Sequence, residues 1–412
     1  MKKELEILNE IEQAEEKIKS SWDKLSYIAN YNHKKVLQAF IDNNIGTHHL
    51  EGTTGYGFND LGRETLEKLV SQIFKSEASL VRPHFASGTH TISCVLFGIL
   101  RPGDELLSVV GKPYDTLEEV IGVRGKGYGS LADWGISYKV LPLTYDNTVD
   151  YDKLPDFINK KTKLVLIQRS RGYDLRPSVN IKEIKKIIQY VKQIKSDTIC
   201  FVDNCYGEFC ETEEPIEVGA DIIAGSFIKN FGGGITPQGG YITGKSELVF
   251  KAGNRLYTPG MGAKVGATLG FNRAAFLGIF LAPHVVEEAL KGAILASYIF
   301  EKRGYKVSPR WDEYRTDIVQ AICLNNPELV KKFCWSIQKS SPIDSYLQPI
   351  PEKIDGYNDK VIMAGGTFTE GSSIELSADG PLREPYAVYL QAGISYRYLR
   401  IALIKVLKNL YE

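Results

Sequence analysis

Along residues 3–19 the apolar positions Leu5, Leu8, Ile11 and Ile18 recur among charged neighbours, the spacing of an amphipathic helix, and a second helix is expected over 34–43. The stretch GTHHLEGTTGYGFNDLG at 46–62 is dense in Gly and Thr and longer than a plain connector needs, which marks it as a loop that serves a site. Beyond residue 64, short apolar runs alternate with helical patterns: KLVLIQ at 163–168, TICFVD at 198–203 and DIIAGSF at 221–227. IKEIKKIIQYVKQIK lies between the first two, with apolar residues every three or four positions, as a crossover helix requires. The pattern is α/β with a large, mostly parallel sheet. After about residue 287 the texture changes to short strands, Gly and Pro turns and a helical end. We expect an N-terminal helical segment and loop (1–63), a large domain (64–286) and a smaller C-terminal α/β domain (287–412).

Composition narrows the class. The 412 residues are 43% hydrophobic and 24% charged, as in ordinary globular proteins. Fifty basic residues balance fifty acidic ones, so no charge footprint for nucleic acid or an anionic membrane is present. The expected partner is a small molecule. The first twenty residues lack the apolar core of a signal peptide, and six cysteines are too sparse for a disulfide framework, which points to the cytoplasm. The apolar stretch 265–286 is interrupted by Asn272, Arg273 and His284 and reads as a buried helix, not a membrane span.

Three small constellations bear chemistry. Asp203 closes one strand-like run in FVDNCYGEF, and Lys229 follows another in GSFIKNFGGG, with Ser226 three positions before it. A strand-end Asp is often no more than a cap, and a Lys is most often a solvated surface charge; this one follows an apolar strand and precedes three glycines. In FASGTHTI, Ser87, Gly88 and Thr89 open a helix, whose free N–H groups suit an anion. Tyr114 in GKPYDTLEEV is placed to stack on a ring. Pyridoxal 5'-phosphate needs this set: an amine for its aldehyde, a carboxylate for its ring nitrogen, and N–H and hydroxyl donors for its phosphate. Cys200, Cys205 and Cys210 have no metal-ligand spacing, so no metal is expected. His48, His49, His84 and His90 are assigned no role. FGGGITPQGG lacks the Lys-Ser/Thr ending of a P-loop and the acidic residue of a dinucleotide fingerprint.

The order Ser87-Gly88, Tyr114, Asp203, Ser226, Lys229 resembles the cystathionine β-lyase and methionine γ-lyase group of fold-type-I pyridoxal-phosphate enzymes, with DNCY like its Asp-Asn-x-Tyr segment and SFIK like its Ser-x-x-Lys. With AGGTFTEGSSIELSADGPLREPY, the whole chain is most similar to a branch named for aluminium resistance. The resemblance implies the aspartate-aminotransferase-like fold, Tyr206 at the cofactor, and Tyr56 with Arg63 reaching the phosphate of a neighbouring subunit in a homodimer or homotetramer. Two departures stand out: Tyr56 is followed by Gly57 and Phe58 instead of the family's Tyr-x-Arg, and Thr116 stands where methionine γ-lyases have Cys.

The implied activity is a lyase that breaks a C–S bond of an L-amino acid by β- or γ-elimination, giving a thiol, ammonia and a 2-oxo acid. Lys229 is its base and Tyr114 the acid for the leaving sulfur. An aldolase or transaminase uses the same cofactor, and a non-catalytic binding protein keeps the same fold. A forked arginine is expected on the substrate carboxylate. Arg383 is the first candidate, with Arg397 and Arg400 behind it and a surface ion pair with Glu384 as the alternative for Arg383.

Overall fold

The computed structural model describes residues 2–125 and 127–411; positions 1 and 412, the outer ends of the expected first and last segments, lie outside the described residues. The large sheet is built from β1 (Ala78–Arg82), β2 (Glu105–Ser108), β3 (Ser137–Val140), β4 (Thr162–Gln168), β5 (Ile199–Asp203), β6 (Ile222–Ser226) and β7 (Gly240–Gly244) in the order β1-β7-β6-β5-β4-β2-β3. Neighbouring strands are parallel except where β7 meets β1 and β6. The sheet expected from the apolar runs is therefore present, with one reversed strand.

Helices cover both faces, which is why the strands read as continuous apolar runs. In chain order they are α1 (Lys2–Asp42), α2 (Leu61–Phe74), α3 (Gly88–Ile99), α4 (Asp115–Ile121), α5 (Leu154–Phe157), α6 (Ile181–Ile194), α7 (Ser246–Leu256) and α8 (Phe271–Lys302). Alternate side chains of each strand enter different cores. Leu164, Leu166 and Phe201 pack with α3, α4 and α7, whereas Val165, Ile167 and Val202 pack with α2, α6 and α8. On α6 the buried residues Ile181, Ile184, Ile187, Ile188 and Val191 form one stripe, each side chain contributing about 1.5–3 kcal/mol by burial.

The N-terminal segment is one helix, not the two expected. Residues 20–33 contain no Gly or Pro to stop it, and its buried stripe continues through Leu25, Ala29, Asn32 and Val36. The small or polar residues of that stripe hid the periodicity. Asn32 is buried because its amide donates to the carbonyls of Phe209 (3.1 Å) and Glu211 (3.0 Å). Trp22 Nε1 donates to the Lys291 carbonyl at 3.1 Å, laying α1 along α8. α8 itself runs through the expected boundary at residue 287 without a break.

A second, antiparallel sheet follows: β8 (Lys306–Ser308), β9 (Val319–Cys323), β10 (Glu352–Lys353), β11 (Lys360–Ala364), β12 (Ser377–Pro381) and β13 (Ala387–Gln391), ordered β10-β11-β12-β13-β9-β8 and accompanied by α9 (Pro327–Gln338) and α10 (Tyr396–Tyr411). Among the described residues no helix is long and apolar enough to cross a membrane.

A buried guanidinium ties the loops beyond β4 and β5 together. Arg169 donates to Asn204 Oδ1 (2.7 Å) and Glu211 Oε2 (2.8 Å) and lies 3.4 Å from Glu214 Oε2. Burial works against its charge, but the two glutamates outweigh that and raise its pKa further. Removing such a charge strands its partners in a dry interior. Arg169→Met is expected to cost about 3–5 kcal/mol of stability, read as a lower denaturant midpoint; an unchanged midpoint would show the cluster to be dispensable.

Candidate active site

The C-terminal ends of parallel strands open onto the crevice where α/β proteins bind ligands. Here β4 ends on Gln168, β5 on Asp203 and β6 on Ser226. A cavity of about 400 Å³ lies over these ends, walled on its far side by β11, β12 and the 365–373 loop. Ser87, Gly88, Thr89 and Tyr114 line it together with Asp203, Tyr206, Ser226 and Lys229. Residues dispersed over 143 positions of sequence, from 87 to 229, thus meet in one place.

Lys229 follows β6 by three residues, and the glycines after it allow its loop to press on α8. A Cβ on Gly233, whose φ is +57°, would stand 2.5 Å from the Gly278 carbonyl oxygen of α8. The Lys229 ammonium lies 4.0 Å from the centre of the Tyr206 ring. Burial opposes its charge, but Tyr206, Cys205 and Asp203 outweigh burial and hold it above an ordinary lysine. For Asp203 the balance falls the other way. Burial raises its pKa more than Lys229, the Cys205 N–H (3.2 Å from Oδ1) and Arg176 lower it. A cationic ring nitrogen facing Asp203 would add to these partners and favour the charged carboxylate further.

Tyr206 occupies left-handed backbone (φ +70°), strained for a residue with a Cβ. It is fixed from both sides. A Cβ on Gly207 would lie 2.4 Å from Arg169 Cδ, so the turn wraps tightly round that arginine, and the Tyr206 hydroxyl accepts from Ser373 Oγ at 3.0 Å.

Ser87 caps α3 by accepting the His90 N–H at 3.1 Å, and the two residues that open the helix, Gly88 and Thr89, line the cavity with no intrahelical partner for their N–H groups. Ser226 Oγ is buried with no partner. A Cβ added to Gly88 would meet Ser226 Cβ at 3.5 Å and Cys205 Sγ at 3.6 Å, so the glycine keeps a cradle open there. Amine, carboxylate and anion cradle together fit pyridoxal phosphate.

Tyr114 is anchored by its N–H to Gln168 Oε1 at 2.6 Å, and its hydroxyl meets that of Tyr357 at 2.5 Å. Burial lifts its phenol well above the ordinary value. Thr116 Oγ1 is 2.8 Å from Thr89 Oγ1, which ties the start of α4 to the anion cradle.

Other expected residues stand elsewhere. Tyr56 is 72% exposed on the 46–62 loop, outside its own chain's cavity. Arg63 is buried and donates to the carbonyls of Gly57 (2.7 Å) and Gly266 (2.8 Å); it braces that loop and is not free for a neighbour's phosphate. Arg383 lines an adjoining cavity of about 340 Å³, paired with Asp359 at 2.9 Å and donating to the Tyr173 carbonyl at 2.7 Å. Its fork is committed there, and its acidic partner is Asp359, not Glu384. Arg397 lies over Tyr396, and Arg400 donates to Glu15 of α1 at 3.0 Å. Among the described residues, no arginine lines the main cavity.

Residues unnoticed in the sequence complete the wall: Tyr173, Tyr357, Asp379 and Ser372, whose Oγ is buried and unpartnered. Asp379 had one available signal, a lone acid in the SADGP run that became β12. All six cysteines are buried and unbridged, and no cluster of three or more His, Cys, Asp or Glu among the described residues is placed to hold a metal.

A family model described as methionine gamma-lyase matches residues 7–411. The uncharacterized Bacillus subtilis protein YnbB is 48% identical over 94% of this chain and 93% of its own. A crystal structure from Listeria monocytogenes, provisionally named a cystathionine beta-lyase involved in aluminum resistance, superposes with a TM-score of 0.95 at 48% identity, over 97% of this chain and 99% of that one. One from Clostridium novyi, named a carbon-sulfur lyase involved in aluminum resistance, gives 0.93 at 45% identity, over 98% and 95%.

Gly88→Ala should fold with an unchanged melting temperature, since its Cβ meets ordinary contact distances, yet fill the cradle. Ser226→Ala should remove one hydrogen bond to the bound anion, worth about 1.5–3 kcal/mol. Titration with pyridoxal phosphate should show at least about tenfold weaker binding for each variant. Wild-type affinity in both would place the phosphate elsewhere.

Proposed function

Because the chain belongs to the methionine gamma-lyase family and has the fold-type-I architecture of pyridoxal-phosphate enzymes, we propose that it is a pyridoxal-phosphate-dependent carbon–sulfur lyase. Its substrate would be an L-amino acid, cleaved by β- or γ-elimination to a thiol, ammonia and a 2-oxo acid. The observation behind this reading is the convergence of Lys229, Asp203, Ser226 and the α3 N-terminus on one cavity. When bound, pyridoxal phosphate supplies a ring that accepts the electron pair released as a bond at the substrate Cα breaks.

The chain's own residues do the rest. The first turn of α3 and Ser226 hold the phosphate group, and Asp203 keeps a proton on the ring nitrogen. Lys229 is the amine that meets the aldehyde; freed by the substrate's amine, it stands at Cα and removes the proton. Tyr114 gives its hydroxyl proton to the leaving sulfur. Since no arginine lines the cavity among the described residues, we assign the substrate carboxylate to neutral donors, with the unpartnered Ser372 Oγ first among them.

We also propose a homodimer or a homotetramer built from such dimers, in which Tyr56 completes the neighbour's site. The loop that presents it is ordered from within: the Thr53 hydroxyl (2.6 Å) and the Thr268 hydroxyl (2.5 Å) both donate to Asp60 Oδ2, and Asp60 Oδ1 caps α2. Exposed Phe58 lies beside Tyr56, with ring centres 5.9 Å apart, an aromatic pair held on a fixed loop.

Lys229→Ala is expected to lose the yellow absorbance of the lysine-bound cofactor and to lower 2-oxo acid release by about 10²–10⁴-fold. Asp203→Asn should keep the cofactor yet slow exchange of the substrate Cα hydrogen with deuterated water by orders of magnitude. Wild-type exchange in Asp203→Asn, or unchanged absorbance in Lys229→Ala, refutes the respective role. Mixing Lys229→Ala with Tyr56→Phe chains should restore one intact site per hybrid dimer; no recovery after confirmed subunit exchange removes Tyr56 from the neighbour's site.

A further inference from the structure

Tyr114 is by itself a weak acid for a departing thiolate. A phenol in water releases its proton only near about pH 10, and burial at Tyr114 holds the proton more tightly still, because the phenolate left behind would stand in a poorly solvated site. A hydroxyl that donates to that oxygen would take up part of the charge. Among the described residues the Tyr114 hydroxyl has one hydrogen-bond partner, the hydroxyl of Tyr357 at 2.5 Å, a separation that suits a bond to a charged oxygen. Both side chains line the main cavity.

Tyr357 is held in that position from the large domain. It lies in the connection between β10 and β11, beside Gly356, whose φ of +89° lets the chain press on α4: a Cβ there would stand 3.2 Å from Thr116 Cγ2. Arg124, just past α4, donates through Nη2 to the carbonyls of both Asp115 and Gly356, and through Nε to Glu118 Oε2 at 3.0 Å. Ring contacts complete the seat, with the Tyr357 ring centre 5.6 Å from that of Tyr173 and 5.9 Å from that of Tyr114. We propose that Tyr357 is the positioning residue that makes Tyr114 an effective acid, its hydroxyl donating to the Tyr114 oxygen as the proton leaves for sulfur. The inference rests on the lyase reading.

The step balances without a redox partner. As the C–S bond breaks, its electron pair stays on sulfur, and the Tyr114 proton forms the new S–H bond. Two hydroxyls that held two protons then hold one between two oxygens, so the negative charge is shared and not confined to Tyr114. A proton from water later restores the pair. A hydrogen bond to a charged oxygen is roughly twice as strong as one between neutral hydroxyls. The Tyr357 hydroxyl therefore stabilises the state after proton transfer more than the state before it, which is the condition for raising kcat instead of tightening binding.

The test is a double-mutant cycle on the holoenzyme, read with S-ethyl-L-cysteine, whose thiolate must be protonated, and with β-chloro-L-alanine, whose chloride leaves without a proton. Tyr357→Phe keeps the ring contacts and is expected to lower kcat on the thioether by about 10–100-fold, with the chloride reaction changed by less than about threefold. Its affinity for pyridoxal phosphate, measured by titration, should match the wild type, which separates a role in the proton step from one in building the site. Tyr114→Phe should show the same selective loss. Adding Tyr357→Phe to it should cost less than about threefold more, because a residue that acts through the Tyr114 hydroxyl then has nothing to act on. Equal losses on both substrates, with or without weaker cofactor binding, losses that multiply in the double variant, or no loss at all would each overturn the proposal. Wild type that releases no 2-oxo acid from either substrate would overturn the lyase reading itself.

Discussion

A carboxylate and an ammonium share one buried cavity, and the surrounding loops are shaped so that neither Asp203 nor Lys229 is left alone there. Charges taken out of water are tolerated only when paired and hydrogen-bonded. Asp203 has the Cys205 N–H and the fields of Lys229 and Arg176; Lys229 has the face of Tyr206. These partners are set by the turn at 204–210, which in turn is wound round Arg169 and its glutamates. The strained Tyr206 follows from that winding. A structural ion cluster in the loops beyond β4 and β5 thereby fixes the position of the aromatic ring that faces the lysine.

The two sheets divide the work. The large sheet supplies groups that suit a cofactor: a cradle for an anion, an amine and a carboxylate at strand ends. The small sheet and the 365–373 loop supply groups that suit a substrate, and these are hydroxyls and one carboxyl instead of a guanidinium. Arg383, which by type suits a carboxylate best, is held outside by Asp359 and the Tyr173 carbonyl.

The large-sheet half of the site could be read from the sequence because it is local. FVD ends a strand, SFIK follows one and SGT opens a helix, so each functional side chain sits at a predictable junction; the three apolar runs match β4, β5 and β6 to within a residue or so. The substrate half could not be read in this way. Asp379 reaches the cavity through the pairing of β12 with β11 and β13, and Tyr357 from the connection between β10 and β11, and neither leaves a spacing in the chain. The unbroken course of α1 is hidden for a related reason, since its stripe is completed by the small Ala29 and by Asn32, which is buried through two hydrogen bonds instead of apolar bulk.

The central claim is that Lys229 alone bonds the cofactor. Wild-type protein incubated with pyridoxal phosphate, reduced with borohydride and digested for peptide mass mapping tests it directly, because reduction makes that bond permanent. The account predicts a phosphopyridoxyl group on the peptide containing Lys229 and on no other peptide. A label on a different lysine, or none at all, would contradict it.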